Sequence, residues 1–114
     1  MTETVTIYHN PRCTKSRQTL ELLQANGVEP TVVEYLKTPP DAAELKRILA
    51  ALNKAPRDLL RAKEAAEAAI GKDLDDEALI AAMVANPIVI ERPIVVKGDK
   101  ARVGRPPESV LEIL

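Results

Sequence analysis

The sequence predicts an α/β fold with a four-stranded mixed sheet and a block of helices inserted between the two halves of that sheet. The N-terminal third alternates strand, helix and strand, which favours a parallel βαβ unit with a right-handed crossover. The C-terminal quarter has the pattern of a β-hairpin followed by a helix. The chain has 114 residues, which is enough for one domain with a single core.

The first half of the predicted sheet begins close to the N-terminus. Residues 4–8 alternate and are rich in β-branched side chains, so they predict a strand, which Asn10-Pro11 ends. A helix is expected to begin at residue 14 or 16 and to end at residue 26, just before Gly27. Residues 31–36 predict the second strand. Because ligands favour the carboxyl ends of parallel strands, the segment between the first strand and this helix is a candidate site.

Helical signals fill the predicted insertion, at approximately residues 39–86. Thr38 is expected to cap its first helix, in which apolar residues recur at offsets of three, four and seven. Three further helical pieces are expected, over residues 57–61, over the alanine-rich run to residue 70, and from Asp75 or Asp76 to Asn86.

The last quarter of the chain predicts two strands and a helix. Residues 94–97 and 101–103 flank Gly98-Asp99-Lys100, which is the pattern of a β-hairpin. Pro106-Pro107-Glu108 then begins a closing helix, in which apolar residues recur every third position. A βαβ unit joined to a hairpin and a terminal helix is the thioredoxin-like arrangement, so we expect a single thioredoxin-like domain over residues 1–114, interrupted by the helical insertion.

Composition argues against several classes of function. The formal net charge is -1, with two Tyr and neither Phe nor Trp, which argues against a nucleic-acid surface. The longest apolar run, residues 78–85, is far below the roughly 20 residues that span a bilayer, and residues 1–4 are not typical of a secretory signal. A lone cysteine and a lone histidine can complete neither an internal disulfide nor a zinc site. We therefore expect a cytoplasmic monomer without metal, nucleic-acid or membrane partners.

Residues 8–17 contain that cysteine and that histidine. Cys13 follows a proline turn, precedes the expected helix start and has Arg12, Lys15 and Arg17 close in sequence. A lone cysteine is often a small core residue, but the cations, the helix dipole and the exposed N–H groups of a helix start all favour a thiolate here. Cys13 is therefore predicted to be a nucleophile.

The residues around Cys13 limit what that nucleophile can do. Ser16 stands where a dithiol oxidoreductase has its second cysteine, so an external thiol must resolve any adduct on Cys13. His9 either lowers the pKa of the thiol or supports the loop, and the sequence leaves both roles open. We assign Asn10, Ser16 and Arg17, together with His9, as thiolate-activating or loop-supporting residues.

Four sequence pieces follow one another in a specific order. They are His9-Asn10-Pro11-x-Cys13-x-x-Ser16-Arg17, the Arg61 after Leu59-Leu60, the segment Arg92-Pro93-Ile94-Val95-Val96, and Gly104-Arg105-Pro106. Together they resemble the glutaredoxin-coupled, ArsC-like arsenate reductase family over nearly the whole chain. The resemblance implies that Cys13 attacks arsenate, that Arg61, Arg92 and Arg105 bind the oxyanion, and that the Arg92–Pro93 bond is cis.

The resemblance also implies the source of electrons. Glutathione is the implied co-substrate, which attacks the adduct on Cys13, and glutaredoxin is the implied partner that completes the reduction. The expected partners are thus arsenate or a similar oxyanion, glutathione and glutaredoxin. No bound cofactor is expected.

Two other functions stay open. Arg12, Thr14 and Lys15 make the cysteine loop bulkier and more basic than that of the arsenic-resistance members, which suits a glutathione-dependent thiol reductase with another substrate. A non-enzymatic regulator that binds RNA polymerase shares the fold, although it typically carries C-x-x-C where this chain has Ser16.

Overall fold

A four-stranded sheet organises the first of two units in the computed structural model, which describes residues 4–70 and 74–114. We call this first unit, built from the chain up to Thr38 and from Arg92 onward, the sheet unit. The helical unit contains Pro39–Glu91. It begins where the insertion was predicted and continues past residue 86, while the organisation of the chain as a single domain stays a prediction.

The sheet unit has the predicted mixed topology. Its strands are β1 (Val5–Tyr8), β2 (Thr31–Val33), β3 (Ile94–Lys97) and β4 (Lys100–Val103), in the order β2-β1-β3-β4. The β1–β2 pair is parallel and the other two pairs are antiparallel. Helix α1 (Thr14–Ala25) connects β1 to β2. The prediction of an α/β, thioredoxin-like mixed sheet is confirmed, and it places Cys13 at the carboxyl end of β1.

The core of the sheet unit lies between the sheet, α1 and the closing helix. Ile7, Leu23, Val95 and Val110 are fully buried and belong to one cluster. Burial of each such aliphatic side chain contributes about 1.5–3 kcal/mol. The cluster therefore fixes α1, and with it the Cys13 loop, against the central strands.

The closing helix is a 3-10 helix over Pro107–Ile113. Its apolar residues recur every third position, which matches the three residues per turn of a 3-10 helix. Val110 and Ile113 are accordingly both buried. The predicted helix is present, but its 3-10 type was not predicted.

The second strand is shorter than the predicted 31–36. The chain turns after Val33, because the Glu34 carbonyl accepts hydrogen bonds from the N–H groups of Lys37 and Thr38, both at 2.9 Å. Tyr35 lies inside this turn and is buried. The β-rich composition of this stretch therefore suits a buried turn as well as a strand.

The first helix of the helical unit begins about one turn later than predicted. The N-cap of α2 (Ala42–Leu52) is Asp41, whose carboxylate accepts from the Glu44 N–H at 2.8 Å, so the prediction that Thr38 caps this helix is wrong. A residue that precedes a proline is disfavoured in the helical region. Pro40 therefore keeps Pro39 outside the helix and leaves Asp41 as the first competent cap.

The remaining helices of this unit are short. They are a 3-10 helix (Pro56–Leu59), α3 (Ala62–Glu67), α4 (Asp76–Ala85) and a 3-10 turn (Pro87–Val89). Asp75 caps α4, which confirms one of the two predicted caps. Helix α3 stops before the predicted residue 70, because Ala69 adopts a left-handed conformation at φ 58°.

In residues 4–70 and 74–114, no helix is both long and apolar enough to cross a membrane. The first three residues, on which the expectation of no secretory signal partly rests, lie outside the described ranges.

Candidate active site

Cys13 occupies the N-cap position of α1, directly after the loop that ends β1. Its N–H donates to the Asn10 carbonyl at 2.9 Å, and its carbonyl accepts from the Arg17 N–H at 3.0 Å. The side chain is half-buried. These main-chain bonds hold the sulfur at the positive end of the helix dipole, where an anion is stabilised.

The environment of Cys13 favours the thiolate. Burial on its own would raise the pKa of the thiol, but hydrogen bonds from the Ser16 N–H and the Arg92 side chain, the charge of Arg92, and the Lys15 N–H outweigh it and lower the pKa. The thiolate is the nucleophilic form of cysteine. The loop and Arg92 therefore favour a reactive thiolate. His9 is not among the groups that lower the pKa of Cys13.

Two of the predicted arginines converge on this sulfur within the sheet unit. The Nη2 atom of Arg105 lies 3.7 Å from the Cys13 Sγ, and its Nε donates to the Arg92 carbonyl at 2.8 Å. The Arg92–Pro93 and Arg105–Pro106 bonds are both cis. Two guanidinium groups beside one sulfur form a surface that suits a tetrahedral oxyanion, which arginine binds in a bidentate manner.

Gly104 allows the Arg105 loop to pack closely against the Pro93 loop. Its N–H donates to the Pro93 carbonyl at 2.9 Å. A Cβ at this position would lie 2.5 Å from the Thr19 Oγ1 and 2.7 Å from the Pro93 Cγ. Only glycine fits here without displacing Thr19 or Pro93. This close contact fixes the position of the backbone that carries Arg105.

His9 lies behind the cysteine loop, in contact with Ser16. Its Nδ1 is 2.6 Å from the Ser16 Oγ, which also accepts from the Asn10 N–H at 3.0 Å. All three residues are buried. Burial lowers the pKa of His9, with a further lowering from Arg17 and an opposing effect of Glu34. The buried contact of His9 with Ser16, and its absence from the groups that shift the pKa of Cys13, favour the loop-supporting role.

Asn10 and Arg17 also form hydrogen bonds within the same loop. The Asn10 Oδ1 accepts from the Arg12 N–H at 3.0 Å. The Arg17 guanidinium donates to the Pro11 carbonyl at 2.8 Å and to the Thr14 Oγ1 at 3.3 Å. Their bonds are therefore directed at the loop and not at the sulfur.

Arg61 belongs to the helical unit, where it precedes α3. Its Nε pairs with Glu64 at 3.1 Å and its Nη1 with Glu91 at 3.0 Å, while its N–H donates to the Val89 carbonyl at 2.7 Å. The side chain is about one-fifth exposed, at 22%. Its place at the Cys13 site stays a prediction from the resemblance.

Sequence reasoning missed both acidic partners of Arg61. Glu64 has the three-residue helical spacing that brings side chains together, so it could have been proposed. Glu91 lies 30 residues away along the chain and has no local signal. Over residues 4–70 and 74–114, no group of three His, Cys, Asp or Glu side chains could hold a metal ion.

Comparisons with known proteins extend over nearly the whole chain. The model of the ArsC family matches residues 8–113. The chain is 57% identical over 118 residues to "Uncharacterized protein YfgD" of Escherichia coli strain K12, covering 100% of this chain and 99% of that protein. It is 48% identical over 114 residues to an arsenate reductase of Rhizobium meliloti strain 1021, covering 97% and 81%. The solved structure of an arsenate reductase from Vibrio cholerae matches all of both chains with a TM-score of 0.93 at 48% identity.

Proposed function

The chain belongs to the ArsC family, and on that premise we propose that it reduces arsenate to arsenite with Cys13 as the nucleophile. The observation that supports this most is the position of the Arg105 guanidinium, 3.7 Å from the Cys13 sulfur at the start of α1. Curated relatives and a solved structure of similar sequence are named arsenate reductases. The site offers a thiolate and two cations, which are the groups that this reaction needs.

In the first step, the Cys13 thiolate attacks the arsenic of dihydrogen arsenate. A sulfur–arsenic bond forms, an arsenic–oxygen bond breaks, and the departing oxygen leaves as water with both hydrogens of the substrate. The adduct carries two negative charges. Arg92, Arg105 and the N–H groups at the start of α1 are proposed to stabilise this charge.

The two electrons must come from outside the chain, because Cys13 is the only cysteine in the sequence. Glutathione is proposed to bond to arsenic through sulfur and to displace a second oxygen as water, which takes one proton from the thiol and one from solvent. A glutaredoxin thiol then attacks the glutathione sulfur, which leaves its bonding electron pair on arsenic. Hydrolysis releases arsenite and restores Cys13. Overall, one arsenate and two thiols give one arsenite, one disulfide and one water.

Arg61 is proposed as the third oxyanion ligand. Its guanidinium is oriented by Glu64 and Glu91, and those carboxylates also offset part of its charge. Arg61 is therefore proposed to help select or admit the oxyanion. The main stabilisation of the negative charge on the adduct is assigned to the other groups of the site.

The test is arsenite formation from arsenate, glutathione and glutaredoxin by the purified protein. The control is Cys13→Ser, which keeps the shape of the side chain but lacks a thiolate. We expect the variant to lose more than about 1,000-fold in rate, since the nucleophile itself is removed. Equal rates for the two proteins would contradict the proposal.

A second candidate is a glutathione-dependent thiol reductase with a different substrate. The observation that favours it is the exposed, basic character of the cysteine loop at Arg12 and Lys15. This function predicts a mixed disulfide of Cys13 with glutathione, detectable by mass spectrometry, together with arsenite formation no faster than for Cys13→Ser. Rapid arsenite formation without that disulfide would exclude it.

A further inference from the structure

Thr19 is a polar residue on the inward stripe of α1. This stripe consists of Ser16, Thr19 and Leu23, which lie three and four residues apart and are all fully buried. Leu23 belongs to the core cluster of the sheet unit, and Ser16 contacts His9 and Asn10. A hydroxyl at a fully buried helix position adds nothing to an apolar core. Burial alone therefore does not account for a threonine at this position.

The hydroxyl of Thr19 is held in one direction by the helix itself. It donates to the Lys15 carbonyl, four residues earlier, at 2.8 Å. The bond satisfies a buried donor, but a threonine that bonds to this carbonyl does not strengthen its helix. The bond therefore fixes the orientation of the side chain and leaves the stability of α1 to other contacts.

The oriented side chain borders the backbone that carries Arg105. A Cβ on Gly104 would lie 2.5 Å from the Thr19 Oγ1 and 3.2 Å from its Cγ2, so both branches of Thr19 face the glycine. On the other side, the Gly104 N–H donates to the Pro93 carbonyl at 2.9 Å. Gly104 is thus enclosed between α1 and the loop that follows Arg92.

We propose that Thr19 is a positioning residue, whose hydroxyl sets the distance between the Arg105 guanidinium and the Cys13 sulfur. Cys13 is the N-cap of α1 and Thr19 lies in its second turn, so one helix carries both the sulfur and the contact with Gly104. Arg105 follows Gly104 directly and brings its Nη2 to 3.7 Å from the Sγ. The inference rests on the proposed function, since Arg105 is there an oxyanion ligand, and Thr19 acts through Arg105.

The test compares the alkylation of Cys13 by iodoacetate, which is an anion, and by iodoacetamide, which is neutral. Both reagents react with the thiolate, so the ratio of their rate constants does not depend on the fraction of thiolate. The ratio instead reports the positive charge beside the sulfur. A charge pair at an exposed site is worth roughly a two- to fivefold change. Arg105→Gln should therefore lower the ratio by about that factor.

Three substitutions at Thr19 separate positioning from burial. Thr19→Ser keeps the hydroxyl and its bond to the Lys15 carbonyl, so we expect it to keep the ratio of the unsubstituted protein. Thr19→Val places a larger methyl group against Gly104, and Thr19→Ala removes both groups that border the glycine. Both should lower the ratio towards that of Arg105→Gln. If burial alone mattered, Thr19→Val would be tolerated better than Thr19→Ser, which loses a buried methyl group.

The matched control is Leu23→Val, which removes a buried methylene group from the same stripe of α1. We expect it to lower the stability of the sheet unit and to leave the alkylation ratio unchanged. An equal ratio in Thr19→Val, Thr19→Ala and the unsubstituted protein overturns the proposal. A ratio lowered as far in Leu23→Val as in Thr19→Val overturns it too, because the effect would then be a general loosening of α1.

Arsenite formation separates this inference from the proposed function. A small misplacement of a reacting or binding group can cost up to about 10²-fold in rate, so Thr19→Val and Thr19→Ala should lower kcat/KM for arsenate roughly tenfold, and Thr19→Ser should restore it. Unchanged alkylation ratios with normal arsenite formation overturn the positioning role alone. The expected ratios with no arsenite above the Cys13→Ser level support that role and remove arsenate as the substrate.

Discussion

Arg105 in the sheet unit and Arg61 in the helical unit are oriented in different ways. Arg105 donates to a main-chain carbonyl, that of Arg92, whereas Arg61 is paired with the carboxylates of Glu64 and Glu91. A carbonyl orients a guanidinium and leaves its charge intact, but a carboxylate also offsets that charge. Under the proposed function, an oxyanion would therefore gain less from Arg61 than the full charge of its guanidinium would provide.

The largest effect expected from this comparison is at Arg105. Removal of one preorganised donor from an oxyanion site typically costs 10²–10³ in rate, so Arg105→Ala should lower kcat/KM for arsenate by about 100-fold. Arg105→Lys keeps a charge but not the planar fork, and should recover only part of the loss. Steady-state arsenite formation measures both variants. A loss confined to KM, with kcat unchanged, would indicate binding without stabilisation of the transition state.

The next largest effect is a loss of stability when the close packing beside Arg105 is disturbed. Gly104→Ala places a methyl group against Thr19 and Pro93, at 2.5 Å and 2.7 Å, and should lower the free energy of unfolding by about 1–3 kcal/mol. Chemical denaturation measures it. Gly27→Ala is the comparison, because Gly27 has φ 77° and its added methyl group would meet no described atom within 4 Å, so only backbone strain acts there. Unchanged stability in Gly104→Ala would contradict the tight contact.

A smaller effect is expected at the acidic partners of Arg61. Glu91→Gln removes one charge while it retains an oxygen for the Arg61 Nη1, so an arsenate-binding Arg61 should attract the anion more strongly and KM should fall roughly two- to fivefold. The matched control is Glu77→Gln, which removes the charge from the exposed Lys46 pair of the same unit. An unchanged KM in Glu91→Gln would assign the Arg61 pairs to the structure of the helical unit alone.

The smallest expected effect is a shift in the pKa of the Cys13 thiol. The rate of alkylation of Cys13 against pH should have its midpoint below the ~8.5 of a free thiol, and Arg92→Gln should move that midpoint upward. Because the folded pKa is lowered, the thiolate contributes stability above the unfolded pKa, and this contribution is lost as pH falls through the folded pKa. A midpoint at or above that of a free thiol would contradict thiolate activation.

Local sequence patterns predicted much of the sheet unit. The alternation in residues 4–8, the proline turn and the start of α1 all lie within a few residues of one another, so the setting of Cys13 could be inferred directly. The hairpin was predicted on similar grounds. In contrast, the cap of α2 was misassigned, because Thr38 and Asp41 both have capping side chains and the restriction imposed by Pro40 decides between them.

Long-range contacts were beyond the reach of sequence patterns. The close packing of Gly104 on Thr19 joins positions far apart in the chain, and nothing near either residue indicates the other. The same holds for the pair formed by Arg61 and Glu91. Arg61 was named through the family resemblance alone, because an isolated arginine is most often a solvated surface charge. Arg92 and Arg105 each stand beside a proline near a strand end, so the sequence itself also favoured a positioned site for them.

The bond between the Arg105 Nε and the Arg92 carbonyl has a consequence for selectivity. It turns the end of the guanidinium that carries Nη2 toward the sulfur. Under the proposed function, the anion would then meet a flat edge that suits any tetrahedral oxyanion. Phosphate has the same shape and charge as arsenate and should occupy this edge equally well. Discrimination would then arise after binding, because arsenic accepts a sulfur ligand and two electrons from thiols far more readily than phosphorus does, and phosphate should act as a competitive inhibitor that leaves unchanged.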